Sequence, residues 1–324
     1  MLTLTKPWQV ALTALMLLNI SLPAFADSRE TVDESRNVAG NEKIYLEVMS
    51  GEIAIKAVNS NQFKIVGKLD EKATGYTLES ADGFTRFEMT MPRQVNYRGN
   101  EKSNAADLRI EVPIGSSVEF KGVNSDVSLS GITGGSNIGT VNGTIAAVEL
   151  ANLVQLSTVN GEINSKDNSG QITLSSVNGK ITDVGSSGRL EYSVVNGEVK
   201  ARTNAEEVTV STVNGDAKLK MTSTTQLKLS TVNGEIEAEL ANSVSPRISG
   251  SSVSGDIELK LDTNVSARFD IKASAGGSID NKLSSDKATK AKYGPARSLQ
   301  FTLGSGDGSV ELNTVSGDVE LDKL

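Results

Sequence analysis

The sequence predicts an all-β protein, namely a single-stranded parallel β-helix: a solenoid of about 18 residues per coil with an irregular N-terminal part. The first observation is a repeat, because the heptapeptide STVNGEI occurs at residues 157–163 and again, letter for letter, at residues 230–236. The second is spacing, since six successive copies of its central motif lie 18 residues apart. The third is that apolar residues recur at fixed positions within the copies, without the 3.6-residue period of a helix.

The repeat units align in columns when the residue after each corner Asn, or after the Ser that replaces it, is taken as position zero. These residues are Ser125, Gly143, Gly161, Gly179, Gly197, Gly215, Gly234, Gly255 and Gly317. Position −2 is Val in all nine units, position +2 is always aliphatic, and positions −5 and −7 are mostly apolar. A hairpin would pair different positions, whereas a coil places each residue about 4.8 Å from its counterpart in the next coil. The columns therefore favour stacked parallel coils, with the valines of position −2 in the core.

The Asn-Gly step is predicted to form one corner of each coil. Asn tolerates a left-handed backbone and can hydrogen-bond along the stack, and Gly accepts positive φ freely. Eighteen residues suit three short sides, so we expect a triangular section, and right-handed coiling is the default for parallel crossovers. The predicted corner residues are Asn142, Gly143, Asn160, Gly161, Asn178, Gly179, Asn196, Gly197, Asn214, Gly215, Asn233 and Gly234.

The remaining segments are assigned in chain order. Residues 1–26 resemble a secretory signal peptide, because Lys6 precedes a short apolar run and the small residues Ala24 and Ala26 form a cleavage site. We therefore expect export to the periplasm or the cell surface, with no integral membrane segment after signal removal. Residues 27–40 are interpreted as a linker and residues 41–324 as one β-helix domain. Within this domain, residues 68–106 look irregular and residues 264–300 look like an insertion.

The composition excludes several classes of function. The chain contains neither Cys nor His, so a Ser-His-Asp triad, a cysteine nucleophile and the usual zinc sites lack their essential residues. The net charge of −8 disfavours nucleic acid as a partner, because phosphate backbones repel an acidic surface. We predict no cofactor.

Two polar columns could carry chemistry. The position after the corner glycine is mostly acidic and predicts a surface carboxylate stripe formed by Glu162, Glu198, Asp216, Glu235 and Asp256, which Asp126 and Asp318 extend. Such a stripe is either a solvated face or, alternatively, a cation site or a source of acid/base pairs acting on a polysaccharide. Ser and Thr at positions −3 and −4 are interpreted as small corner residues, or alternatively as a hydroxyl ladder that binds sugars.

Several segments resemble a known family. The segment ADLRIEVPIGSSVEF, followed by VNSDVSLSG, VNGEI and VSGDVEL, resembles the bacterial putative-adhesin domain of unknown function, an exported β-strand repeat family. The resemblance covers roughly residues 41–324 and implies an exported or envelope-associated β-helical protein. The family pattern contains no catalytic residues that could be assigned to positions in this sequence.

The function predicted from these observations is that of a non-catalytic exported solenoid. It would act as a cell-envelope scaffold or an adhesion-type binding protein, with an unknown envelope protein or glycan as partner. Two alternatives stay open. One is a carboxylate-dependent polysaccharide-active enzyme, and the other is a self-assembling filament subunit, because the ends of a β-helix expose strand edges.

Overall fold

A computed structural model describes residues 29–93 and 104–324, so the predicted signal peptide lies outside the described residues. The described part contains 23 β-strands and no helix that could span a membrane. The N-terminal strands are β1 (Thr31–Asn37), β2 (Lys43–Val58), β3 (Gln62–Lys68), β4 (Gly75–Ala81), β5 (Phe84–Thr90), β6 (Ala106–Pro113) and β7 (Ser117–Ser130). The central strands are β8 (Ser136–Asn142), β9 (Ile145–Val148), β10 (Leu153–Lys166), β11 (Ser169–Val184), β12 (Ser187–Thr203), β13 (Glu207–Thr222), β14 (Gln226–Thr231), β15 (Ile236–Ala241), β16 (Arg247–Ser252) and β17 (Ile257–Leu261). The C-terminal strands are β18 (Ala267–Ala273), β19 (Ile279–Asn281), β20 (Thr289–Lys290), β21 (Arg297–Leu303), β22 (Gly308–Thr314) and β23 (Val319–Lys323).

The central strands stack in parallel. In the pairs β10–β11, β11–β12 and β12–β13, each residue lies opposite the residue 18 positions later. This register places Val154, Ile172, Leu190 and Val208 in one line through the core. Like side chains therefore pack on like side chains, which explains why the columns repeat in the sequence. The predicted all-β class and the solenoid architecture are confirmed.

The N-terminal end of the stack departs from sequence order. β2 pairs in parallel with β7 on one side and with β5 and β6 on the other. The segment between β2 and β7 therefore lies beyond β2 on the N-terminal side, where β1 covers its strand β3, and the chain then crosses β2 to continue the stack. Within this segment β4 and β5 form an antiparallel hairpin through Asp82 and Gly83. Both turn residues have positive φ, as a two-residue hairpin turn of this kind requires.

The C-terminal end departs from sequence order in the same way. The final strands β22 and β23 pair on one side with β16 and β17 and on the other with β18 and β19. The last coil is thus inserted between two coils that precede it in sequence. Of residues 264–300, β18 and β19 belong to the stack, and β20 with β21 forms an antiparallel hairpin beyond it.

The core is built from alternating columns. Positions −7, −5 and +2 are buried throughout the repeat, as in Leu190, Tyr192 and Val199 of β12. Position +4 also points inward, for example at Leu219 and Leu259, although the sequence did not single it out. One continuous apolar cluster therefore runs the length of the described stack.

The valine column at position −2 is exposed, so its predicted place in the core is wrong. Nine valines expose between 37% and 46% of their surface: Val123, Val141, Val159, Val177, Val195, Val213, Val232, Val253 and Val315. Side chains alternate along a strand, and positions −7 and −5 share a face with −3 rather than with −2. Position −3 fills the core instead, through the buried residues Thr140, Thr158, Ser176, Val194, Thr212, Thr231, Ser252 and Thr314.

A polar cluster interrupts the apolar core. The carboxylate of Asp183 is fully buried and accepts hydrogen bonds from the hydroxyls of Ser186 and Tyr192, at 2.5 and 2.7 Å. Ser165 lies 3.3 Å from the Ser186 hydroxyl and accepts a bond from the Asn168 amide. Burial raises the pKa of Asp183, and the hydrogen bonds oppose this shift only in part.

We expect Asp183→Asn to increase stability at neutral pH by about 1 kcal/mol, because a neutral amide needs no buried charge. The folded state holds the Asp183 proton more tightly than the unfolded state, in which the pKa is near 3.8. Stability from this group is therefore highest below pH 3.8 and falls as the pH rises through the raised pKa. Urea unfolding from pH 3 to pH 8 should show that wild type and variant diverge across this window. Glu191→Gln, an exposed change in the adjacent strand β12, is the control, and identical pH profiles for wild type and Asp183→Asn would contradict the prediction.

Candidate binding face

One outward face of the stack follows the Asn-Gly corner, and we call it the corner face. It consists of three columns: the nine exposed valines, the asparagines of position −1 and the acidic residues of position +1. The asparagines are Asn124, Asn142, Asn160, Asn178, Asn196, Asn214 and Asn233, and all are exposed. The acidic residues are Asp126, Glu162, Glu198, Asp216, Glu235, Asp256 and Asp318.

The asparagines form a hydrogen-bonded ladder. Each side-chain Nδ2 donates to the Oδ1 of the asparagine one coil nearer the N-terminal end, from Asn142 to Asn124 at 2.8 Å through to Asn233 to Asn214 at 3.0 Å. All six bonds run in the same direction, so the amides hold one another in a fixed orientation. The ladder makes this part of the corner face rigid at the level of its side chains.

The corner glycines are required by space. A Cβ on Gly161, Gly179 or Gly197 would lie within 1.9 Å of the carbonyl oxygen of the corner glycine in the neighbouring coil. Most corner glycines do not have positive φ, and Gly51 and Gly143 are the exceptions among the described corners. The reason given from the sequence was therefore wrong for these glycines. The left-handed backbone occurs six residues later, at a different bend that includes Glu149, Asp167 and Gly185.

The aspartates of the acidic column bond to the backbone of the adjacent coil. Asp216 Oδ1 accepts a hydrogen bond from the Glu235 amide at 3.0 Å, and Asp256 Oδ1 accepts one from the Asp318 amide at 2.7 Å. Asp126 and Asp318 accept equivalent bonds, at 2.8 and 2.7 Å. In each case the donor lies where the strand of the adjacent coil is interrupted at the corner. The shorter Asp side chain thus caps a backbone amide that the sheet leaves free.

The glutamates of the same column make different contacts. Glu198 forms ion pairs with Lys200 at 2.7 Å and Lys180 at 3.9 Å, and Glu162 is exposed. The predicted stripe therefore combines aspartates that cap backbone amides with glutamates that face solvent. A separate group of three carboxylates, Glu258, Glu320 and Asp322, lies within 4.8 Å on another face and is paired with lysines such as Lys282.

We predict that Asp216→Ala costs about 0.5–1.5 kcal/mol, because the Glu235 amide loses its partner. Glu162→Ala removes a carboxylate from the same column without uncapping an amide and should change stability by less than about 0.5 kcal/mol. Chemical denaturation of both variants measures the difference. Equal losses would show that the column acts through charge alone.

A groove opens at the N-terminal end of the corner face. It encloses about 700 Å³ and is lined by the ladder residues Asn124 and Asn142 and by four carboxylates, those of Glu52, Asp107, Asp126 and Glu162. Arg29 lies at its rim, where its guanidinium donates to the Ala105 carbonyl at 2.6 Å. The groove is therefore strongly acidic. Asp183, whose pKa burial raises, lies in the core and cannot reach a substrate there.

Comparisons with known proteins address the fold. The family model described as Toastrack DUF4097 matches residues 41–322. A structure titled as a putative cell adhesion protein from Clostridium sporogenes aligns at 12% identity over 91% of this chain and 100% of its own, with a TM-score of 0.22. A putative adhesin from Bacteroides fragilis aligns at 13% identity over 91% of this chain and 98% of its own, with a TM-score of 0.36. No curated protein matches the sequence. Because the family model matches residues 41–322, the chain belongs to the Toastrack DUF4097 family.

Proposed function

We propose that the protein is a non-catalytic, exported β-solenoid that acts as an adhesion-type binding protein of the cell envelope and binds its partner through the corner face. The observation that carries this proposal is the line of nine exposed valines. Export rests on the signal-peptide pattern of residues 1–26. The triangular section and right-handed coiling belong to the same proposal.

The choice of valine supports binding rather than folding. Threonine has nearly the same shape and the same β-branching, so it would suit an exposed strand position equally well. Nevertheless all nine positions carry Val. Contiguous exposed apolar surface on a soluble protein commonly marks an interaction site. Eight intervals of about 4.8 Å make the line about 38 Å long, which suits an extended partner.

The rigidity of the face favours affinity. The Asn ladder fixes the column beside the valines, and the close approach of the coils fixes the backbone below it. A face that is already ordered loses little conformational entropy when a partner binds. The valines favour an envelope protein as partner, while a glycan would use mainly the amides and carboxylates.

A non-catalytic role is supported by composition and by the carboxylates. The chain lacks His and Cys. Four aspartates of the acidic column already accept hydrogen bonds from backbone amides. A glycoside hydrolase needs two carboxylates flanking the scissile bond, one of them held protonated. The column is better suited to fixing the shape of the face.

Binding to envelope fractions of the producing cells tests the proposal. The triple variant Val159→Thr, Val177→Thr and Val195→Thr keeps side-chain shape and removes apolar surface from the centre of the line. We expect at least a tenfold loss of apparent affinity with an unchanged circular dichroism spectrum. The matched control is Val184→Thr with Val244→Thr, two exposed valines outside the corner face. If the triple variant binds as tightly as wild type, the corner face is not the binding site.

A further inference from the structure

Two surfaces near opposite ends of the stack, a groove and a hairpin, carry opposite charge. The acidic groove lies at the N-terminal end, where Glu52, Asp107 and Glu162 are exposed. The β20–β21 hairpin lies at the other end, because β21 pairs with β18 of the last level. The corner columns span twelve levels from Ala106 to Gly277, and eleven intervals of about 4.8 Å separate the ends by about 53 Å. The groove and the hairpin of one molecule therefore cannot meet.

The hairpin presents basic and aromatic side chains to solvent. Lys287, Lys290, Lys292 and Arg297 are all exposed, and no ion pair is formed by any of them within residues 29–93 and 104–324. Tyr293 at the tip is 82% exposed, and the Lys292 ammonium lies 5.4 Å from the centre of its ring. An exposed tyrosine beside unpaired cations is a combination typical of interface anchors.

The tip has a defined shape. The Ala291 amide donates to the Ala296 carbonyl at 2.9 Å, which closes the turn, and Gly294 between them has a φ of +90°. A groove of about 700 Å³ is within the range that accommodates a side chain such as tyrosine together with a neighbouring lysine. The groove offers carboxylates to the ammonium groups and the Asn124 and Asn142 amides to the tyrosine hydroxyl.

At the two ends of the stack, the arrangement of strand edges favours contact between side chains over backbone pairing with a second copy. The antiparallel strands β1, β3 and β4 cover the N-terminal levels, and β21 with β20 covers β18. Antiparallel cover of this kind interrupts the parallel ladder, so a second copy cannot simply continue the stack. A filament formed by edge pairing would have to use the short parallel strand β19 or the antiparallel strands β1 and β4, and this alternative stays a prediction.

We propose that the basic β20–β21 hairpin of one copy docks into the acidic N-terminal groove of a second copy. The contact is heterologous, since different surfaces meet, and it leaves one free groove and one free hairpin in every dimer. Contacts of this type extend into open chains unless the rotation closes a ring. The interaction is electrostatic at its rim, so it weakens as the screening length falls from about 10 Å at 0.1 M salt to about 3 Å at 1 M.

Sedimentation velocity of residues 27–324 tests the proposal. At 0.1 M salt the weight-average mass should rise with protein concentration to at least twice that of the monomer, and at 1 M salt it should return to the monomer. The hairpin variant carries Lys290→Glu and Lys292→Glu, and the groove variant carries Glu52→Lys and Glu162→Lys. Each variant alone should remain monomeric. The matched control, Lys228→Glu with Arg247→Glu, changes exposed charges on the ninth and tenth of the twelve levels, outside both the groove and the hairpin, and should assemble like wild type.

Mixing the variants gives the decisive result. In an equimolar mixture the intact hairpin fits the intact groove and the charge-reversed hairpin fits the charge-reversed groove, so the mixture should assemble although neither variant does so alone. Combining all four changes in one chain reverses both charges and should restore assembly. Any of three results would overturn the proposal. They are a wild type that stays monomeric at 0.1 M salt, a hairpin or groove variant that still assembles alone, and a control that fails to assemble.

Discussion

Val199→Asp is expected to unfold the centre of the solenoid, at a cost of several kcal/mol. Val199 is fully buried at position +2 of β12, between Ile181 and Ala217 of the adjacent coils. An aspartate there would place a charge in a stack that offers it no partner, and burying an unpaired charge is among the most costly single changes. Urea denaturation followed by circular dichroism should show a large fall in midpoint, or no folded baseline at all.

Val195→Asp is the matched control for this experiment. It makes the same substitution four residues earlier in the same strand, at a valine that is 37% exposed. We expect it to change stability by about 1 kcal/mol or less, because the new carboxylate stays hydrated. The comparison separates the two columns that the sequence alone could not tell apart. Similar losses for both variants would contradict the assignment of inward and outward positions.

Deleting one whole coil is the second change with a large contrast in outcome. Removal of residues 172–189 joins Gln171 to Leu190, which lies in the same column as Ile172, so every column stays in register. Stacked repeats contact mainly their neighbours, so the shortened rod should fold and lose about 4.8 Å of length. Tyr192→Phe should accompany the deletion, because the Tyr192 hydroxyl otherwise loses its bond to Asp183.

Deleting only residues 172–180 is the control, since it removes half a coil. Position +2 then falls where position −7 should be, so the inward columns still meet, but residues with side chains, beginning with Glu206 in the place of Gly197, fall where the corner glycines leave no room for a Cβ. Thermal melting should show a cooperative transition for the whole-coil deletion and its loss for the half-coil deletion. Binding to envelope fractions should be weakened but retained in the whole-coil deletion, because the corner face extends over many coils. Equal unfolding of both deletions would contradict the register of the stack.

The sequence was sufficient for the parts of the fold that repeat. Identical columns require like to stack on like, so the all-β solenoid and the buried columns at −7, −5 and +2 followed from spacing alone. The Val column misled because its chemistry suggests a core position. Its spacing was the better signal, because −5 and −2 are an odd number of residues apart and cannot share a face of one strand.

Structural features that occur only once could not be predicted from the repeated sequence. The exchange of levels at both ends depends on which coils pair with each other, and the columns are the same for every possible pairing. The groove arises where Glu52 and Asp107, which are 55 positions apart in sequence, meet on adjacent levels. The caps made by Asp216 and Asp256 could have been anticipated only in part, because Asp precedes four of the interrupted corners whereas Glu235 precedes the one at Asp256.

The inserted C-terminal coil sets the order in which the rod can be completed. β22 and β23 are synthesised after β18 and β19, yet they fill the space between β16–β17 and β18–β19. Until they arrive, β18 has its neighbour β21 on one side and an open parallel edge on the other. A chain that emerges N-terminus first therefore cannot add its levels in spatial order, and the levels around β18 and β19 close only after β22 and β23 are available. Folding from the N-terminal end and closure at the C-terminal end are thus separate events in time, and a chain that ends before β22 keeps an unfilled level.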